Sequence, residues 1–285
     1  MSESLDMQSW SFSLAVTFAL AATALVYVRG WLSLRSPFPD LIGSWRLAAF
    51  MIGLASVWTA VATPLATLDH QSLTIHMMKH LLLMTVAAPL VLVGAPVFPL
   101  ICGLPKVFIK SYPPLGSLAT RRLERYFMHP VLCWLVGTAA VIGWHLPAAF
   151  QLGMRSPWVH DLEDLSFLVA GLLFWGPVLE SSSANRLPRW SWSMALYLFL
   201  ATLPCDVLSA FLVFCGRPVY GVYLSTTQLF SFSPLQDQEC AGALMWVWVT
   251  FAYLIPAVVI TVHILSPSNM NRQRSVQTAL HRATG

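Results

Sequence analysis

The sequence predicts an all-α integral membrane protein, a bundle of seven transmembrane helices. Composition is the first reason. Of 285 residues, 57% are hydrophobic and 10% charged, where a soluble domain carries about 25% charged residues. The second is the grouping of the apolar residues. They fall in seven stretches, roughly 10–28, 44–63, 73–100, 130–150, 158–179, 190–215 and 239–265. Each is long enough to cross a bilayer core at about 1.5 Å per residue. The third is charge asymmetry. Thirteen of the sixteen Lys and Arg fall on one side of these spans, and only Lys79, Arg155 and Arg217 on the other. The positive-inside rule then places the N-terminus outside and the C-terminus in the cytoplasm.

The first stretch reads as a span and not as a cleavable signal, because its flank MSESLDMQSW is acidic and no A-x-A-like site follows. The third and seventh stretches are long and contain Pro89, Pro96 and Pro256, so those helices should kink, tilt or end early. Residues 1–265 form one membrane domain, and 266–285 a polar, basic cytoplasmic tail. Between spans three and four, LATRRLERYF could lie as an amphipathic helix on the inner surface, or serve only as a topology-setting loop. The aromatic, polar segment 216–238 suits an interfacial cap over the outer helix ends. The net charge of +4 is a topology signal, and its basic residues are divided among four inner segments. No nucleic-acid partner is expected; the partner this composition implies is the lipid bilayer. Five cysteines without a C-x-x-C give no disulfide framework.

The stretch IHMMKHLLLMTVAAPLVLVGAP carries the sharpest functional signal. His76 and His80 are one helical turn apart on one face, and ionisable groups within a span are costly and mark function. The topology brings two more imidazoles to the same depth, His145 near the outer end of span four and His160 at the start of span five. His160 opens the run HDLED, which puts Glu163 and Asp164 on its helix face. Carboxylates at a helix N-terminus also complement the macrodipole, which is the plain structural reading of the acids. The histidines point to a shared polar or metal site. Met84 lies at i+8 from His76, and Met77, Met245 and Cys205 supply further soft atoms. Histidine with thioether or thiolate favours copper, while methionine also simply fills gaps between helices. Zinc and haem remain open at this point. Lys79 between the two histidines, with no general base, excludes the H-E-x-x-H pattern of a zinc protease. No nucleophile–base pair or nucleotide motif is present, so no enzymatic activity is expected. Asp206, alone in an apolar segment, should face the bundle interior or a wet cavity, and Asp237 reads as a cap of its own helix.

The segments HMMKHLLLMTVAAPLVLVGAP, WHLPAAFQ, WVHDLEDLSFLVAGLLFWGPVL and SPLQDQECAGALMW, in this order, resemble the CtaG family of cytochrome c oxidase assembly factors. This is the multi-span family of that name, distinct from the single-span copper protein that shares it. The resemblance covers roughly residues 44–265. It implies a seven-span protein of the bacterial inner membrane that assists maturation of a haem-copper oxidase and handles copper. The implied partners are oxidase subunits and a periplasmic copper chaperone. By position it supports His76, His80, His145 and His160 as the motif histidines, and Asp237 with Gln238 as the DQ pair of the last span. One departure stands out. Where the family reads H-x-x-E-H, this chain has Asp164 in place of the second histidine. The expected metal site is therefore His76, His80, His145, His160 and Asp164, in the outer leaflet. Two other readings are a copper permease or resistance protein, whose ligands would run through the full membrane depth, and a b-type haem electron carrier.

Overall fold

Helices make up the regular structure of the computed structural model, which describes residues 7–36, 43–63, 65–105, 129–180, 192–224 and 232–266; no strand occurs among them. The inner segment with LATRRLERYF and the tail beyond residue 266 lie outside the described residues. In chain order the helices are α1 (Met7–Arg35), α2 (Ser44–Ala62), the short α3 (Leu65–Leu68), α4 (Leu73–Leu81), α5 (Ala88–Val93) and α6 (Val97–Gly103). They are followed by α7 (Pro130–His145), α8 (Pro147–Arg155), α9 (Pro157–Glu180), α10 (Trp192–Phe214) and α11 (Pro234–Leu265). Six of these segments are each long and apolar enough to cross a membrane, counting α4 to α5 as one. The expected fourth span is instead a broken pair. α7 and α8 meet at a 75° bend, because Pro147 cannot continue the hydrogen-bond ladder beyond His145.

The expected kink in the third span takes a specific form. A π-helical turn, Leu82–Ala87, joins α4 to α5, with the Ala88 N–H reaching back to the Leu83 carbonyl. Pro89 supplies no N–H, so the Met84 carbonyl is left without an intrahelical donor. The indole Nε1–H of Trp175 on α9 donates to it at 3.1 Å. Gly171, one turn earlier on α9, permits this approach. A Cβ there would sit 2.8 Å from the Met84 carbonyl oxygen and 2.9 Å from Ala88 Cβ. Gly171→Ala should therefore cost about 1–3 kcal/mol by overpacking, read as a lowered Tm of the purified protein. An unchanged Tm would mean that α9 does not rest on the π turn as described. Beyond α5 the chain turns at Ala95, whose φ is 46°, and Tyr27 of α1 donates to the Gly94 carbonyl at 2.7 Å while stacking on Phe50.

α1 and α6 cross at Gly30 and Gly103, where a Cβ on either would run into backbone of the other helix. Such small-residue crossings let helices in lipid gain dispersion contact. The main core lies among α4, α7, α9, α10 and α11, with Met84, Phe174, Trp175, Tyr197 and Tyr253 all buried. The Tyr197 hydroxyl donates to the Phe174 carbonyl at 2.9 Å. Large apolar side chains such as Phe18, Val207, Phe214 and Val262 are exposed on the outside of the bundle, as expected of surfaces that meet lipid. The chain is thus an all-helical, multi-pass membrane protein.

Candidate functional site

α4 begins at an unusually well-fixed point. Ser72 is its N-cap, and Asp237 of α11 gathers the exposed groups of the first turn. The carboxylate accepts from Ser72 Oγ at 2.8 Å, Leu73 N at 2.6 Å and Thr74 Oγ1 at 2.7 Å. A helix N-terminus leaves N–H groups unpaired and carries partial positive charge, so a carboxylate satisfies both. Asp237 does not cap its own helix, contrary to the reading of its sequence. That role falls to a capping box of Ser233 and Gln236. Gln238 accepts from Val219 N at 2.7 Å and donates to the Leu212 carbonyl at 3.0 Å. The DQ pair is thus positional: Asp237 anchors the start of α4, which carries His76 and His80, and Gln238 ties α11 to the end of α10 and the loop that follows it.

The two histidines face a cluster of buried ionisable groups. Asp69, His76, Lys79, His80, His160, Glu163 and Asp164 are all buried. His76 Nε2 lies 3.4 Å from Glu163 Oε1, and His80 Nε2 lies 3.8 Å from the same oxygen and 3.3 Å from Asp164 Oδ1. One ligand atom each from His76, His80 and Glu163 fall within 4.8 Å of one another. The same holds for Asp69, His70 and His160, where His70 is half exposed. The His76 and His160 ring centroids are 5.6 Å apart. His76, His80, His160 and Asp164 thus lie around one buried cluster, but the atoms within one ion's reach are those of His76 and His80 with Glu163, while His160 groups with Asp69 and His70.

Lys79 joins the two groups. Its Nζ pairs with Asp69 and lies 3.1 Å from Asp164 Oδ1 and 2.7 Å from His160 Nε2. His160 Nε2 is also 2.9 Å from Asp69 Oδ2. One ring nitrogen cannot accept from an ammonium and donate to a carboxylate at once. Burial by itself would push the Asp69 carboxyl up, but the contact with His160 and the charge of Lys79 outweigh it and hold the group well below the usual carboxylate range.

With neutral imidazoles the cluster holds three carboxylates and one ammonium, an excess of two negative charges in a dry place. Seven of its buried polar atoms have no well-aligned hydrogen-bond partner, among them both nitrogens of His76, Nε2 of His80 and Oε2 of Glu163. Buried polar atoms are normally paired. This set can be completed by one divalent cation or by protons on two imidazoles.

His145 belongs elsewhere, although the sequence placed it with the metal site. Its Nδ1 is 2.7 Å from the Val141 carbonyl and its Nε2 is 3.2 Å from Met77 Sδ. The break at Pro147 that ends α7 also aims the ring toward the apolar interior. Asp69, Lys79 and Glu163 are the members that the sequence reading did not assign. Glu163 carried a signal, i+3 from His160 in HDLED, but fitted the macrodipole explanation equally well. Asp69 carried none, since it sits in a loop before α4. Asp206 has one buried carboxylate oxygen without a hydrogen bond but lies apart from the cluster. None of the five cysteines forms a disulfide.

An aromatic cap closes over the site. α8 lies across it, with Phe150 edge-on to His76 at 5.0 Å, and Gly153 leaves the space that Glu163 Oε2 occupies. The Tyr220 hydroxyl donates to the His145 carbonyl at 3.0 Å, and that of Tyr223 to the Asp69 carbonyl at 2.8 Å. The expected cap from segment 216–238 is present in these residues; residues 225–231 lie outside the described part.

Comparison with known proteins places the chain in a family. The family model for the cytochrome c oxidase caa3 assembly factor matches residues 25–266. Uncharacterized proteins of Mycobacterium bovis and Mycobacterium tuberculosis are each 24% identical over 248 residues, covering 83% of this chain and 36% of theirs. The chain thus spans about a third of the length of these curated relatives. No solved structure matches. The family match includes every helix that builds the site, and the chain belongs to the caa3-type cytochrome c oxidase assembly factor family.

Proposed function

We propose that this oxidase assembly factor holds a copper ion at His76, His80 and Glu163, on the outer side of the bacterial inner membrane, for insertion into a haem-copper cytochrome c oxidase. One observation carries the reading: three ligand atoms within 4.8 Å of one another, inside a buried cluster with excess negative charge. Two imidazole nitrogens and a carboxylate oxygen suit a divalent ion such as Cu(II). Asp164, His160 and Asp69 would orient the first ring of ligands, as carboxylates commonly do for metal-bound histidine. The protein would act by binding and release and not by catalysis. Its partners would be oxidase subunits and, as the source of copper, a periplasmic chaperone. The outer location follows from the asymmetry of basic residues, which predicts a cytoplasmic reading for a reporter fused after Gly285.

The other two readings have less support. A b-type haem needs two histidines on facing helices, whereas His76 and His80 share one helix and are packed against Phe150 and Phe167. A permease needs ligands along the whole path, but His129 and His263 are exposed at the far ends of α7 and α11. In cells lacking this chain, a variant carrying His76→Gln and His80→Gln should reach the membrane yet fail to restore oxidase activity and copper content. Full restoration by that variant would reject the proposal.

A further inference from the structure

A second chamber lies deeper in the bundle, beyond His80. Met77, Met84, Met245, Cys205, His80 and His145 line a cavity of about 20 Å³, enough for one water-sized particle. Its walls are otherwise apolar, including Phe167, Val249 and Tyr253. Thioethers on their own are ordinary packing atoms. The position of His145 is not ordinary. A carbonyl can only accept, so Nδ1, 2.7 Å from the Val141 oxygen, carries the proton. In the neutral ring Nε2 then presents a lone pair, and it faces the lone pairs of Met77 Sδ at 3.2 Å. Two acceptors are thus turned toward each other in a buried place, with no proton between them. Protonating Nε2 would create a buried imidazolium, and the nearby carboxylates pair with His76, His80 and His160 instead.

A cation with affinity for both nitrogen and sulfur resolves this arrangement. From it we propose that this chamber is a second, soft metal site that binds one monovalent copper ion, with His145 Nε2 and Met77 Sδ as its first ligands and Met245, Met84 and Cys205 as the remaining soft atoms. A histidine whose other nitrogen donates to a backbone carbonyl is held in the tautomer and orientation that a metal requires. Thioether and imidazole without carboxylate select Cu(I) over divalent ions. The chamber shares His80 in its lining with the His76–His80–Glu163 triad but differs from it in ligand chemistry, since the triad has an oxygen ligand and, with neutral imidazoles, excess negative charge.

The test uses the full chain in detergent, titrated anaerobically with Cu(I) against a chromogenic chelator, and separately with Cu(II). Wild-type protein should bind one Cu(I) with sulfur in its X-ray absorption spectrum. Combining Met77→Leu with Met245→Leu, swaps that conserve volume, should weaken Cu(I) binding at least about tenfold and leave Cu(II) binding intact. Glu163→Gln should do the reverse. Overturning results are no Cu(I) bound by wild type, a spectrum with only nitrogen and oxygen neighbours, or equal affinity in the double Leu variant. Loss of Cu(II) binding alone would count against the triad and leave this site standing.

Discussion

Lys79→Met will destabilise the protein by about 3–5 kcal/mol, the scale of removing one partner from a buried ion pair. Lys79 is fully buried and, among the described residues, is the only ammonium in contact with Asp69 and Asp164. Without it three carboxylates share one dry cluster. The loss should shrink in two ways that ordinary packing damage would not. Adding Asp69→Asn should recover much of the stability, because a charge is removed along with its partner. Cu(II) or Zn(II) should raise the Tm of the Lys79→Met variant more than that of wild type, since the stability added by binding grows with the logarithm of affinity and the variant site is more negative. The measurement is thermal unfolding of the three proteins with and without metal. A Tm of the variant equal to that of wild type would refute the charge balance described here.

Glu163→Gln has the second large effect, and its sign on stability is the informative part. It removes one negative charge and the anionic ligand oxygen that lies 3.4 Å from His76 Nε2 and 3.8 Å from His80 Nε2. Affinity for Cu(II) should fall by about 100-fold, the loss of a charged ligand being at least as costly as the loss of the groups that orient it. Stability without metal should change little or rise, because the cluster is too negative. If Glu163 served only to complement the helix N-terminus, the outcome would be the opposite: reduced stability and unchanged affinity. Competition titration and unfolding of the same samples separate the two.

Long-range constraints mark the limit of what could be read from sequence. The helical, membrane-spanning architecture follows from apolar runs, which are local, and so does the one-face placement of His76 and His80. Pro147 was a local signal for the end of α7, and the break is there. The π turn was not legible, because Pro89 announces a disturbance without its form. It is the contact of Trp175 with the Met84 carbonyl that stabilises this form. Asp69 and Asp237 depend on pairs far apart in the chain. Asp237 meets Ser72 across 165 positions, and nothing in the neighbourhood of either residue encodes that. His145 shows the limit of depth arguments. The topology put it at the depth of the other histidines, but its ring faces Met77 instead of the carboxylates.

The site's acids were half legible for a related reason. HDLED places His160, Glu163 and Asp164 on one broad face, yet helix periodicity cannot say which of two adjacent acids turns toward α4. The structure divides their tasks. Glu163 faces both histidines, and Asp164 stands between His80 and Lys79. The departure from H-x-x-E-H therefore puts a carboxylate where it balances Lys79, and Asp164→His would leave Lys79 to Asp69 alone.

The most direct test of the central claim is electron paramagnetic resonance of the purified full chain loaded with one equivalent of Cu(II). The account predicts a single bound ion whose spectrum shows coupling to two imidazole nitrogens, and loss of that spectrum in the His76→Gln/His80→Gln variant. A wild-type protein that leaves the added copper free in solution, or a variant with an unchanged spectrum, would contradict it.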